Sequence, residues 1–212
     1  MAGRATIFWW ARQFVARSKV LFAFLACLWF CTACADPSAV PGDYSTATTR
    51  LDGLVAAIPY PSSWRNEVNQ SVPEGILLGW YGPEEYDYFT KPVLTVSLQS
   101  PPADKEGWCQ KQISDETYGR IKKLTPVAIV NAQLSGTPAS VARFSYIEEN
   151  ASDAPVKVPR PETINMICSI YPQVGVAIII ELKAAGSQQP VGDSVFQNVT
   201  SGTSLSADRA TH

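Results

Sequence analysis

"ETINMICSIYPQVGVAIIIEL", residues 162–182, decides the fold. Ile164, Met166, Cys168 and Ile170 fall on alternate positions, so they share one face of a strand. "GVAIIIEL" (175–182) reads as a second strand, and Pro172, Gln173 and Val174 between the two supply a hairpin turn. Working outward, "VLTVSLQ" (93–99) alternates Val93, Thr95, Ser97 and Gln99 against Leu94, Val96 and Leu98. "GLVAAIPYP" (53–61) is a short strand ended by prolines, and "GILLGWYG" (75–82) is another. Between these two come Trp64, read as core or rim packing, and a polar stretch holding Gln70, Ser71 and Pro73. "PVAIVNAQL" (126–134) leads through Ser135 and Gly136 into "PASVARFSYI" (138–147). Long polar loops are expected at 84–92 and 148–161.

Two helices interrupt the strands. "PPADKEGWCQKQISDETYGRIKKL" (101–124) has Asp104 placed to cap its start, acids early, and Lys122 and Lys123 at its end, all with the sign of the helix dipole. Its apolar stripe is Cys109, Ile113, Thr117, Ile121 and Leu124, and Trp108 is again core or rim. "GDSVFQNV" (192–199) reads as a short C-terminal helix with Asp193 as its cap. Hairpin-joined strands with inserted helices predict an α+β fold, a mostly antiparallel β-sheet flanked by helices. The expected organisation is a signal peptide over 1–33, a flexible tether over 34–49, the α+β domain over 50–200 and a disordered polar tail over 201–212.

The first part of the chain reads as an export signal. Val20 to Ala33 is an apolar run in which only Thr32 is polar, short of the roughly 20 residues a spanning helix needs. Extending it backward would bury Arg12, Arg17 and Lys19, at roughly 2.5–3.5 kcal/mol each near the bilayer centre. Two cuts compete. "CTAC" (31–34) resembles a bacterial lipobox with Cys34 as the lipid carrier, although Cys31 stands where such boxes carry Leu. "ACA" (33–35) resembles a signal-peptidase site that releases a soluble protein from Asp36. The small, polar, Pro-broken segment after Cys34 suits a tether and favours the lipid anchor, which places the protein on the outer face of the bacterial cell membrane; the other cut makes it secreted. Arg4, Arg12, Arg17 and Lys19 are four of the 17 basic residues, and none of the 19 acids precedes Asp36, so loss of this segment moves the net charge from −2 to −6. An acidic domain repels phosphate backbones, which argues against nucleic acid as a partner.

Of five cysteines, Cys27 and Cys31 leave with the apolar run and Cys34 is the lipidation candidate. Cys109 and Cys168 remain, one on the helix stripe and one on the strand face, both directed at the helix–sheet interface. A disulfide between them is expected in an exported protein.

Little in the sequence carries chemistry. The one histidine, His212, is the last residue. That argues against the Ser-His, Cys-His and zinc arrangements in which histidine is base or ligand. No nucleotide loop, nucleophile elbow or C-x-x-C pair occurs. The reading is therefore a non-enzyme with no catalytic residue, no metal and no cofactor. Two acidic clusters, Glu84/Glu85/Asp87 and Glu148/Glu149/Asp153, leave a carboxylate-dependent hydrolase as a distant alternative; solvated loops account for both. "GWYGPEEYDYF" (79–89) concentrates Trp80, Tyr81, Tyr86, Tyr88 and Phe89 around a Gly82-Pro83 turn, a composition suited to recognising a partner protein or a small apolar ligand.

The order of these segments resembles a known family. "IPYPSSW" (58–64) looks like the strand-ending Pro-x-x-Trp entry of the PsbP-like superfamily. The resemblance continues through "VLTVSL", a helix, "ASVARFSYIEE", "GVAIIIEL" and "DSVFQNV", covering about residues 50–200, and is nearest in style to LpqN-type actinobacterial lipoproteins. It implies an α/β/α sandwich around an antiparallel sheet and a binding or assembly module, and it transfers no functional residue.

Overall fold

The 162–182 hairpin forms as its pattern predicts and lies inside a large sheet. A computed structural model describes residues 41–72, 75–83, 91–101, 105–120, 128–148, 160–185 and 188–208. In chain order the strands are β1 (Tyr44–Leu51), β2 (Leu54–Pro61), β3 (Arg65–Val72), β4 (Gly75–Tyr81), β5 (Val93–Gln99), β6 (Ile129–Leu134), β7 (Thr137–Glu148), β8 (Arg160–Tyr171), β9 (Val176–Ala185) and β10 (Ser204–Ala207). The helices are α1 (Trp108–Arg120) and α2 (Gln189–Gly202). Seven strands make an antiparallel sheet in the order β3-β4-β5-β9-β8-β7-β6, and three more make a small sheet in the order β1-β2-β10. The chain is α+β, with a mostly antiparallel sheet between helix-bearing layers.

Alternation along the strands sorts side chains between the faces of the large sheet. One face carries Leu78 and Trp80 of β4, Leu94, Val96 and Leu98 of β5, Ile178, Ile180 and Leu182 of β9, and Ile167 of β8. All are buried in the main core with Leu54, Ala56 and Ile58 of β2. The layer on this face is mixed, made of α2 and the small sheet. α2 buries Val191, Gly192, Val195, Phe196 and Val199, one stripe at helical spacing. A methyl at Gly192 would sit 2.6 Å from the Ala184 Cβ, so the glycine sets how closely the helix lies on β9. On the opposite face α1 lies over β7 and β8, where Trp108, Cys109 and Ile113 pack on Ala142, Met166, Cys168 and Ala177.

Tight turns fix the register. Asp52 (φ 46°) and Gly53 (φ 82°) join β1 to β2, and Ser135 (φ 52°) and Gly136 (φ 74°) join β6 to β7. Both are two-residue loops with positive φ at both positions, the turn whose twist matches paired strands.

Four expectations need correction. The tether over 34–49 ends early, because Tyr44–Leu51 is β1, paired along its whole length with β2. The polar stretch around Gln70 and Ser71 is an edge strand, β3, which needs only one hydrogen-bonded neighbour. Residues 201–212 are not a disordered tail throughout: Gly202 ends α2, and Ser204–Ala207 pairs with Leu54–Ala57 as β10. Neither helix starts where its expected cap would place it. α1 begins at Trp108, beyond Asp104, which lies outside the described residues. α2 begins at Gln189 with a proline in its first turn, and Asp193 serves another role. Its carboxylate accepts a hydrogen bond from Asn165 Nδ2 at 2.9 Å and pairs with Arg143 at 2.7 Å, fastening α2 to β8 and β7.

Candidate functional site

The site begins with what α1 leaves uncovered. Its packing partners on the sheet are β8 and β7, and Cys109 is bonded to Cys168 with Cα atoms 5.4 Å apart. The expected disulfide is present. It fixes the first turn of α1, whose remaining sequence is largely polar and offers a weak apolar stripe. Beside the bond, on the same face, is a cleft of about 390 Å³ lined by Lys105, Gln110, Asn131, Ser140, Ile170 and Pro172 as well as the two cysteines.

The other half of that face lies on β4, β5 and β9 and forms a groove of about 340 Å³. Its floor is Leu77, Val93, Ile179 and Met166, and Gln112 of α1 forms one wall. Along β5 the side chains Thr95, Ser97 and Gln99 project into it at every second position, opposite Glu181 and Ile179 of β9. Gln99 Nε2 donates to Ser97 Oγ at 3.1 Å. At the β8–β9 end Lys183 pairs with Glu162 at 2.6 Å, with the Glu162 side chain 3% exposed. Pairing with a cation offsets part of the cost of burying such a carboxylate. The groove thus presents hydroxyl and amide groups and the Glu181 carboxylate above an apolar floor, with an ion pair at one end. Such a lining can hold a partner that is part apolar and part hydrogen-bonding. Among the described residues no group of three or more His, Cys, Asp or Glu is placed to hold a metal ion.

The aromatic residues named from the sequence separate. Trp80 is fully buried in the main core and stacks on Tyr60, ring centroids 4.9 Å apart and planes 19° from parallel. A display role for Trp80 is therefore corrected to packing: as an inward position of β4 between Asn66 and Leu94 it has no route to the surface. Trp64 and Trp108 are also buried, as expected. Tyr81 is half-buried at the end of β4, next to Val93 of the groove floor. Tyr86, Tyr88 and Phe89 lie outside the described residues, as do Cys34 and the acidic cluster Glu84/Glu85/Asp87. Of the second cluster, Glu149 and Asp153 lie outside them, while Glu148 ends β7. Thr95, Ser97, Gln99, Gln112, Glu181 and Lys183 were not singled out as binding residues. The polar alternation of β5 was the available sign, but a polar strand face also describes plain solvent exposure.

No family model matches the sequence, and no curated protein matches it either. Among solved structures the chain is similar to LpqN of Mycobacterium tuberculosis, described as involved in cell envelope biogenesis. The two are 13% identical, the match covers 78% of this chain and 92% of LpqN, and the TM-score is 0.55. A point mutant of the protein Mog1 is 10% identical over 80% of this chain and 98% of its own, with a TM-score of 0.51. The PsbP of the cyanobacterium Synechocystis is 13% identical over 82% and 97%, with a TM-score of 0.47. At such identities the likeness is one of fold. The chain has the LpqN-like fold that the order of its segments resembles.

Proposed function

We propose that this protein is a non-enzymatic binding or interaction module, tethered through a lipid on Cys34 to the outer face of the bacterial cell membrane. The observation that carries the binding half is the groove over β4, β5 and β9, on the half of the sheet face beside α1. The role of LpqN in cell envelope biogenesis and the export signal read from residues 1–33 both support an extracytoplasmic setting. No helix among the described residues is long and apolar enough to cross a membrane, which suits attachment through the N-terminus. The segment from Cys34 to Tyr44 spans at most roughly 35 Å, so the partner of a tethered domain lies at or near the membrane surface. A protein segment or a small apolar ligand bearing hydrogen-bonding groups fits the lining.

Site-specific photo-crosslinking in living cells tests the groove. A photoreactive side chain at Ser97, half-buried in it, is compared with one at Thr46, exposed on β1. Adducts from Ser97 that are absent from Thr46 are expected. No adduct from Ser97, or the same adducts from both positions, contradicts the groove as the binding surface.

A further inference from the structure

The two edges of the seven-stranded sheet are built differently. An exposed edge strand is a template for further pairing unless charge, proline or a bulge spoils it. β3 has such protection: Arg65 and Glu67 are charged and exposed, and the register shifts between Asn66 and Val68. β6, "IVNAQL", has none of these devices. Its register with β7 runs unbroken from Ile129 to Leu134, and it contains no charged residue and no proline. Among the described residues no strand pairs with its outer side. Val130, the exposed large hydrophobic residue of the described structure, is on this strand at 52% exposure.

We propose that β6 is a self-association edge and that its partner is the β6 of a second copy of this chain. The pattern of the strand selects the second copy. Two antiparallel copies related by a twofold axis must pair residues that share a face, because strand neighbours point to the same side of a sheet. Centred on Ala132, this register sets Val130 opposite Leu134 of the second copy and Ala132 opposite itself. That makes a continuous apolar row on the main-core face. On the other face Asn131 meets Gln133 twice, amide against amide, so each donor has an acceptor. No like charges meet across the axis, whereas a twofold pairing of β3 sets its charged, bulged edge against its own image. The contact is short and belongs with small, transient interfaces, so association reads out at about 10–100 µM protein or at the raised local concentration of a membrane surface.

The test uses the full chain expressed in an exporting host. Directly opposed strand residues lie within disulfide reach, so A132C gives a cross-linked dimer on a non-reducing gel, and Thr48→Cys on exposed β1 does not. Asn131 and Gln133 are exposed, so charges there leave the monomer fold intact, as circular dichroism will show. In the A132C background, N131K/Q133K places two like-charged pairs across the axis and cuts the dimer yield by about tenfold. N131K/Q133E makes both pairs attractive and restores the yield. Sedimentation of the same charge variants with Ala132 intact gives the order wild type and N131K/Q133E above N131K/Q133K. Cross-linking at the Thr48→Cys level, or a yield indifferent to the charge pairs, overturns the proposal.

Discussion

Trp80 shows how one residue type carries opposite meanings in two positions. In "GWYG" an indole beside a tyrosine reads equally well as a displayed ring or a core ring. The choice is made by strand parity: Trp80 shares its face with Leu78, and that face meets the small sheet, where Tyr60 stacks on it. Trp80→Ala is therefore expected to lower stability by about 3–5 kcal/mol, read in denaturant unfolding, with the groove lining left in place. A loss below about 1 kcal/mol places the ring outside the core. Among the described residues the buried indole N–H groups of Trp64 and Trp80 have no hydrogen-bond partner. At the opposite face the same parity argument gives Thr95 and Ser97 to the groove, and there the sequence was ambiguous because a groove and open water favour the same side chains.

At the level of elements, legibility followed how much each element depends on itself. β5, β8 and β9 alternate strongly or run apolar, and their assignments held. β3 and β10 did not declare themselves: "RNEVNQSV" and "SLSA" are polar, and each is a strand because β4 or β2 offers it a hydrogen-bonding edge. α2 was found but shortened, since its first turn depends on Pro190 and on packing against β9 rather than on a side-chain cap. α1 depends on the sheet most of all. Its hold is Trp108, Ile113 and the Cys109–Cys168 bond, which closes a separation of 59 residues. In the chain-entropy model a loop of that length contributes about 4 kcal/mol. The C109A/C168A double substitution is expected to lower stability by about 2–5 kcal/mol, and amide exchange should rise first in α1 while β5 and β9 stay protected. Uniform exchange across the domain contradicts α1 as the separately held element.

Among the described residues the large sheet has one face closed and the other half covered. A mixed layer of α2 and the small sheet seals the main core, and α1 covers β7 and β8. β4, β5 and β9 are left to line a groove. The order of strands and helices was legible because hairpins tie sequence neighbours into sheet neighbours. The groove was not, because it exists only once β4 and β5 are set beside β9, across the chain that forms α1, β6, β7 and β8. In the proposed function a lipid holds this domain at the outer face of the cell membrane, where its groove meets a membrane-proximal partner. The mass of the mature N-terminal peptide tests it most directly. The prediction is a peptide beginning at Cys34 and carrying two or three acyl chains, recovered from the membrane fraction. An unmodified peptide beginning at Asp36 and recovered from the soluble fraction contradicts it.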